Sequence, residues 1–344
     1  MATFIGIDLP TWWFLLIGAV FSGYAVLDGF DLGAGALHLF IRDNTHRKMA
    51  LKAIGPVWDG NEVWLVIGGG ALFAGFPNAY ASVFSAFYIP FILFLVFIIF
   101  RAISIEFRDK EPWKWWRDFW DFCYFLSSLL ISLALGLVFG NIIYGIAIDS
   151  QGEFQGSWLA FINPFSILIA ITTLVLFMMH GANYLALKTK GHLFLHTERF
   201  LRNTTALFVI FYIISSLVAL IYVPQITGRF IRQPILFVVG IIALLTVLNV
   251  IRLVIKKSYY WSFIFSGITI CLLLILVAIG IYPNLVFSNI DGVTGLNIYQ
   301  AASSDKSLTI MLIFAAIGVP LVVIYTIFVF YTFRGRVSEK DLGY

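Results

Sequence analysis

Four carboxylates occur within segments of this sequence that are otherwise strongly apolar. Asp28 and Asp31 are three residues apart in the first such segment, and Asp59 and Glu62 repeat that spacing in the second. Residues three apart share one face of a helix, so each pair presents its two acids in the same direction. Acids inside an apolar segment are costly to bury and by default mark a functional site, where they pass protons, bind cations or form ion pairs.

The positions of the two pairs along their segments predict that they meet at one level. Asp31 lies nine residues before the end of the first segment, roughly 13 Å along a helix, and Asp59 lies seven residues after Lys52, roughly 10 Å. Arg101 ends the third segment on the same side and is the natural counter-ion. We therefore expect these side chains to form a hydrated acidic pocket. Its members would be Asp28, Asp31, Asp59, Glu62 and Arg101.

The sequence leaves three uses of such a pocket open. One is a structural network of ion pairs that joins three helices. A second is a proton uptake route, because carboxyl groups in such surroundings exchange protons. A third is a metal site, although four carboxylates without a histidine at that depth favour a hard cation over a redox metal.

The segments that carry these residues are predicted membrane spans. Of the 344 residues, 61% are hydrophobic and 12% are charged, whereas a soluble domain carries about 25% charged residues. A span needs about 20 mostly apolar residues. Nine runs qualify, at about residues 11–40, 53–74, 79–100, 119–146, 161–187, 203–223, 234–255, 260–283 and 307–333. The sequence therefore predicts an all-α polytopic membrane protein of nine transmembrane helices, with residues 1–344 forming a single transmembrane domain.

The basic residues predict the orientation of the chain. Nineteen of the 22 Lys and Arg residues fall in the loops after the first, third, fifth and seventh runs and in the C-terminal tail. The other three, Arg229, Arg232 and Lys306, lie on the opposite side. Because basic loops stay in the cytoplasm, we expect the N-terminus outside, the C-terminus in the cytoplasm and the acidic pocket open toward the cytoplasm. Basic residues confined to short loops between apolar runs also argue against a nucleic-acid partner.

Histidine and cysteine offer little for a redox centre. His180 is the one histidine placed well inside a span, so the paired histidines that bis-histidine haem ligation requires are missing. Cys123 and Cys271 differ in depth by roughly 10 Å, which disfavours a disulfide. We therefore expect no haem ligand and no metal site in this chain.

Glycines indicate where helices approach closely. Gly29 and Gly33 form one GxxxG pattern in the first span, and Gly136 and Gly140 form another in the fourth. Small residues let helix backbones come into contact in lipid, so these positions predict packing rather than chemistry.

Several motifs together resemble one enzyme family. The segments 28–33 (DGFDLG), 58–64 (WDGNEVW) and 69–74 (GGALFA) are similar to subunit II of the cytochrome bd-type quinol oxidases. Shorter agreements follow in the same order along the chain, at residues 100–101 (FR), 120–121 (WD), 139–141 (FGN), 163–165 (NPF), 181–185 (GANYL) and 263–266 (FIFS). The resemblance covers essentially the whole chain.

This resemblance implies a role within a larger enzyme. The family enzyme is a heterodimer of the bacterial cytoplasmic membrane that oxidises a membrane quinol and reduces dioxygen to water with protons from the cytoplasm. Its haems b and d and its quinol-oxidising loop lie in subunit I. Subunit II is haem-free, consists of two four-helix bundles plus one peripheral helix, and can hold a structural quinone; a small single-helix accessory subunit is a further possible partner. In this chain the bundles would be about 11–146 and 161–283, and the ninth helix about 307–333.

The resemblance also assigns roles to the acidic residues. The proton path proposed for the family uses acids that match Asp28 and Asp59, with Asp31 and Arg101 close by. Glutamine can take the place of Glu62 in the family, which makes that residue less characteristic of the motif. The expected function is therefore that of a subunit that stabilises the haem-bearing partner and helps to deliver protons. An ion-coupled secondary transporter and a purely structural scaffold are the alternatives, because intramembrane carboxylates also serve proton-coupled carriers.

Overall fold

The computed structural model describes residues 3–342, and most of them are helical. The helices are α1 (Leu9–Leu37), α2 (Asn44–Ile54), α3 (Trp58–Gly75), α4 (Pro77–Ala86), α5 (Tyr88–Phe107), α6 (Lys114–Tyr144), α7 (Pro164–Lys188), α8 (Gly191–Tyr222), α9 (Pro224–Arg232), α10 (Phe237–Ile255), α11 (Tyr259–Ile281), α12 (Ile298–Ala301) and α13 (Asp305–Thr332). Two short antiparallel pairs, β1 (Thr3–Phe4) with β2 (Ile7–Asp8) and β3 (Asn284–Val286) with β4 (Leu296–Asn297), are the strands. The prediction of a helical membrane protein is confirmed.

Eight of these helices are long and apolar enough to cross a membrane: α1, α5, α6, α7, α8, α10, α11 and α13. The second predicted span corresponds to α3, which has only 18 residues. Its first turns carry Asp59, Asn61 and Glu62, and its middle is a run of glycines, so it is less apolar than the other eight. The eight helices support the expected architecture, and α3 is the candidate for the ninth span.

The third predicted span differs from the structure. The chain forms two helices there, α4 and α5, which are separated at Phe87. Helix α5 continues to Phe107, so Arg101 lies within the helix rather than at its end, where the sequence placed it. The helix can continue because the polar side chains of its last turns, Arg101 and Ser104, are buried against other helices instead of facing lipid.

The connections between the long helices lie at two opposite ends of the molecule. At one end, which we call the basic end, the tail folds back so that Val337 N–H donates to the carbonyl of Lys188, 2.7 Å away. At the other end, Ile146 N–H donates to the carbonyl of Phe287 at 3.0 Å. The basic end contains the segments 41–57, 108–113, 189–190, 256–258 and 333–342, which follow the first, third, fifth and seventh predicted spans and the last one.

Helix α7 occupies the centre, and glycines bring its neighbours into backbone contact with it. Of its most apolar 18 residues, 61% are buried, whereas none of the corresponding residues of α13 is buried. A Cβ atom on Gly33 of α1 would lie 1.7 Å from the carbonyl oxygen of Phe177. Cβ atoms on Gly136 and Gly140 of α6 would lie 2.6 and 2.7 Å from Cα atoms of α7. The predicted role of the GxxxG patterns in packing is confirmed, and α13 lies at the periphery.

Replacing Gly33 by alanine tests this central contact. The added methyl group has no space against the backbone of α7, so Gly33→Ala should lower the free energy of unfolding by at least about 2 kcal/mol. The thermal unfolding midpoint of the purified protein in detergent measures the effect. Gly18→Ala on the same helix is the matched control, because a Cβ atom there meets nothing within 4 Å. Equal midpoints for the two variants would contradict a tight contact between α1 and α7.

Candidate functional site

A buried arginine lies between acids from two neighbouring helices. Arg101 of α5 and Asp28 of α1 are each 1% exposed, and Nη2 of Arg101 lies 2.7 Å from Oδ1 of Asp28. The same nitrogen lies 3.3 Å from Oε2 of Glu62 on α3, whose side chain is 16% exposed. A single guanidinium group therefore joins three helices that the sequence placed next to one another, and the predicted pairing of Arg101 with these acids is found.

Asp31 belongs to the same region but has a different partner. Its Oδ2 atom accepts a hydrogen bond of 2.8 Å from the side-chain amide of Asn61. Asn61 also donates to the carbonyl of Leu27 at 3.2 Å, which ties α3 to α1. Among residues 3–342, no cationic side chain lies within 4 Å of the Asp31 carboxylate. The observed donor to this buried carboxyl group is therefore a neutral amide.

Asp59 lies at the surface, outside the ion pairs of Arg101, and therefore not at the depth that the sequence suggested. Helix α2 ends at Ile54, a turn follows, and α3 begins at Trp58, so Asp59 lies in the first turn of α3 and is exposed. The estimate of its depth assumed a continuous helix from Lys52, which the turn interrupts. A carboxylate in the first turn of a helix is stabilised by the helix dipole. Asp59 lies one turn from Glu62, on the same face and closer to the basic end.

Many polar atoms around the ion pair have no hydrogen-bond partner among residues 3–342. They are Tyr24 Oη, Trp64 Nε1, Asp28 Oδ1, Asp31 Oδ1, Glu62 Oε1 and the three guanidinium nitrogens of Arg101. Asp28 and Arg101 are within ion-pair distance, but their alignment does not meet hydrogen-bond geometry. Since about 90% or more of buried polar groups in proteins find a partner, this group can bind water molecules or a polar group of another chain.

A second buried network, which the sequence analysis missed, is centred on Asp121 of α6. One of its carboxylate oxygens lies 2.6 Å from Nε2 of His38 and 2.5 Å from Nε of Arg108. The other accepts from Arg47 at 3.1 Å and from Arg108 at 3.2 Å. Arg108 also donates to Asn44 at 2.6 Å, so the network ties α2, α5 and α6 together at the basic end. The same rule that identified Asp28 applies to Asp121, but the sequence analysis used Asp121 only as part of the family agreement at residues 120–121.

The turn that leads into α2 has its own stabilising acid. Asp43 caps α2, and its carboxylate accepts the backbone N–H of His46 at 3.0 Å. This hydrogen bond holds the pKa of Asp43 below its usual range. The cap orients α2 so that Arg47 reaches Asp121.

His180 has both ring nitrogens engaged. Its Nε2 lies 2.9 Å from the carbonyl of Val26 and its Nδ1 lies 2.7 Å from the hydroxyl of Ser266. Its ring stacks on Phe263 with an interplanar angle of 4°. In this arrangement neither nitrogen is free to ligate iron. Within residues 3–342, no group of three or more His, Cys, Asp or Glu side chains is placed to hold a metal ion.

The fold and these buried networks define an integral membrane protein of many helices whose charged side chains are paired between spans. Comparison with known proteins narrows this class. The sequence profile of the family described as cytochrome bd terminal oxidase subunit II matches residues 9–333. The chain is 32% identical to the cytochrome bd ubiquinol oxidase subunit 2 of Bacillus subtilis (strain 168), over 96% of this chain and 97% of that protein. It is 29% identical to the cytochrome bd-I ubiquinol oxidase subunit 2 of Escherichia coli (strain K12), over 96% and 95%.

A solved structure agrees with this assignment at the level of the fold. The bd oxidase from Geobacillus thermodenitrificans contains a chain that matches with a TM-score of 0.75 and 17% sequence identity, covering 94% of this chain and 98% of that one. The chain described above belongs to the cytochrome bd terminal oxidase subunit II family. It is therefore a subunit of a membrane quinol oxidase, an oxidoreductase complex of the respiratory chain.

Replacing Asp121 tests the network that the sequence analysis missed. Asp121→Asn removes the buried carboxylate that Arg108 and His38 share and leaves Arg108 only the exposed Asp109 as an anionic partner, so the free energy of unfolding should fall by about 3 kcal/mol. Thermal unfolding of the purified complex measures this loss. Asp118→Asn, at an exposed position three residues earlier on α6, is the matched control and should leave the midpoint unchanged. A midpoint for Asp121→Asn equal to that of the control would show that the network contributes nothing to stability.

Proposed function

We propose that this chain is the haem-free subunit II of a membrane quinol:dioxygen oxidoreductase that reduces dioxygen to water with cytoplasmic protons. Its own roles are to stabilise the haem-bearing subunit I and to contribute to proton delivery. Family membership supports the enzyme class. The observation that supports proton delivery is the buried contact of Asp28, Glu62 and Arg101 below the exposed Asp59.

These residues form a graded series from the surface to the interior. Asp59 is exposed at the start of α3, the Glu62 side chain is 16% exposed one turn further, and Asp28 is 1% exposed beyond it. In the proposed path Asp59 takes up the proton, Glu62 passes it inward, and Asp28 and Asp31 hold it near the partner subunit. The unpartnered polar atoms around Arg101 supply positions for the water molecules that such a transfer requires.

The charges of the group favour an exchangeable proton. Asp28 and Glu62 contact one guanidinium and Asp31 lies in the same region, so the fully ionised group would carry an excess of two negative charges. Excess charge is expensive between apolar helices, and sharing one or more protons among the carboxylates relieves it. Arg101 then keeps the remaining negative charge in place and orders the carboxylates.

The orientation and span count belong to the same proposal. With the basic end in the cytoplasm, as the positive-inside rule requires, the N-terminus is outside, the C-terminus is inside, and Asp59 faces the compartment that supplies protons. Helix α3 then completes nine spans, arranged as two four-helix bundles (about 11–146 and 161–283) and a peripheral ninth helix (about 307–333). The exposure of α13 supports the last point.

The proposed cofactors lie in the partner. Haems b and d belong to subunit I in this proposal, and the engagement of both His180 nitrogens supports their location outside this chain. The complex acts on a membrane quinol, in line with the ubiquinol named for the relatives from B. subtilis and E. coli. A structural quinone and a small single-helix subunit are further expected components, and no residue of this chain is assigned to either.

Replacing Asp59 by asparagine tests the proposed path. If Asp59 is the proton acceptor at the surface, Asp59→Asn should lower quinol oxidase turnover by about tenfold, less than the usual cost of losing a catalytic acid or base, because water can partly bypass an exposed acceptor. Haem content per complex, read from the visible spectrum, should stay near the wild-type value. Glu106→Gln is the matched control, an exposed carboxylate near the basic end on α5.

The two readouts separate the alternatives. Full turnover in Asp59→Asn would rule out the relay role of that residue. Loss of haem together with loss of turnover would favour a structural role. A visible spectrum of the complex purified through this chain that shows no haem d would contradict the proposed function as a whole.

A further inference from the structure

A cavity of about 580 Å³ lies at the end of the molecule opposite the basic end. It is enclosed by the short helix α9, the end of α11 and the segment 282–294 that follows α11. Its polar lining includes Arg229, Arg232, Gln225, Gln233, Asn284 and Thr294, and no Asp or Glu side chain of residues 3–342 lines it. A cavity of this size is in the range of small-molecule sites, and its lining has a positive charge without an acidic counterpart.

The two arginines of this cavity have no anionic partner in the described part of the chain. Arg229 donates to the carbonyl of Tyr282, and its guanidinium lies 5.4 Å from the centre of the Tyr282 ring. Arg232 donates from Nε to the carbonyl of Gly228 in its own helix at 3.0 Å. Neither forms an ion pair with a carboxylate among residues 3–342. Most of their N–H groups are therefore available to an anion from outside the chain.

Helix α9 is placed where the membrane surface must lie. It follows the end of the spanning helix α8 and precedes α10, and Phe230 on its inner face is buried. Its Ile226 packs on Gly280 so closely that a Cβ atom on that glycine would lie 2.9 Å away. An amphipathic helix with arginines on its polar face is typical of the interface between hydrocarbon and headgroups.

The surroundings of the cavity favour a lipid over a free anion. Large apolar side chains before, within and after α9 remain exposed: Ile221 at 72%, Ile231 at 66% and Ile235 at 74%. Guanidinium groups match the geometry of phosphate oxygens and bind them with two parallel hydrogen bonds. We propose that this cavity binds the phosphate group of an anionic phospholipid through Arg229 and Arg232, with the acyl chains along the exposed faces of α8 and α10.

Lipid binding to the intact oxidase complex tests this site. The complex is stripped of lipid in detergent and titrated with dioctanoyl phosphatidylglycerol, and bound lipid is counted by native mass spectrometry. Arg232→Gln should weaken the tightest binding step by about tenfold to a hundredfold, the cost of losing a charged hydrogen-bond donor. Arg232 is exposed and bonds only within its own helix, so its replacement does not threaten folding.

Arg252→Gln is the matched control. Arg252 is also an exposed arginine with a contact inside its own helix, to Asn249 at 3.2 Å, but it lies at the basic end of α10. This variant should bind the lipid as the wild type does. Unchanged binding in Arg232→Gln, or an equal loss in Arg252→Gln, would overturn the proposal.

Two further titrations distinguish the part of the lipid that is recognised. Dioctanoylglycerol, which lacks the phosphate, should not compete for the site, and competition as strong as that of the phospholipid would overturn phosphate recognition. Inorganic phosphate should displace the lipid only weakly, because it lacks the acyl chains. Displacement at equal concentration would show a free-anion site and overturn the assignment to lipid.

Discussion

The burial of the Arg101 guanidinium is the constraint on which the first half of the molecule depends. A cation that is 1% exposed between apolar helices must be matched by anions, because burial separates it from bulk water. Asp28 and Glu62 supply that match from two other helices, so α1, α3 and α5 cannot shift relative to one another without separating opposite charges. The same arrangement has more carboxylates than cations. It is therefore a structural contact that also has the capacity to hold a proton, and these two properties have one physical origin.

Two kinds of contact hold the helices around the ion pairs of Arg101. The Asp121 network fixes α2, α5 and α6 at the basic end through four charged or ionisable side chains. Deeper in the molecule the contacts are apolar and depend on the absence of side chains, since Gly33, Gly136 and Gly140 place α1 and α6 against α7. Both the polar network and the glycine contacts are consistent with a lipid environment, in which close packing and paired polar groups replace the hydrophobic driving force available in water. Helix α5 connects Arg101 to the Asp121 network, because Arg108 directly follows the end of this helix nearer to Arg101.

The sequence was informative where a residue conflicted with its surroundings, and less so where a short turn set the geometry. Asp28 stands out as a charge within an apolar run and Arg101 as a charge at the end of one, and the structure pairs them. Asp59 looked equivalent, but the turn at residues 55–57 returns the chain to the surface, and a depth counted along the sequence cannot detect such a turn. Asp121 has the same character as Asp28, yet its partners His38 and Arg47 come from a segment that hydropathy treats as the end of a span and a loop. Tertiary packing decides which hydrogen-bond donors contact a buried acid, and the hydrophobic periodicity of the sequence does not reveal them.

The glycine contact between α1 and α7 also bears on how the chain is built into the membrane. Residues 33 and 177 belong to the first and fifth predicted spans, so their contact cannot form until more than half of the chain has been synthesised. Asp28, Glu62 and Arg101 come from the first three of those spans and can neutralise one another much earlier. Pairing among α1, α3 and α5 can therefore precede the contact with α7 during biogenesis. The later arrival of α7 then completes an assembly in which Arg101 already has its anionic partners.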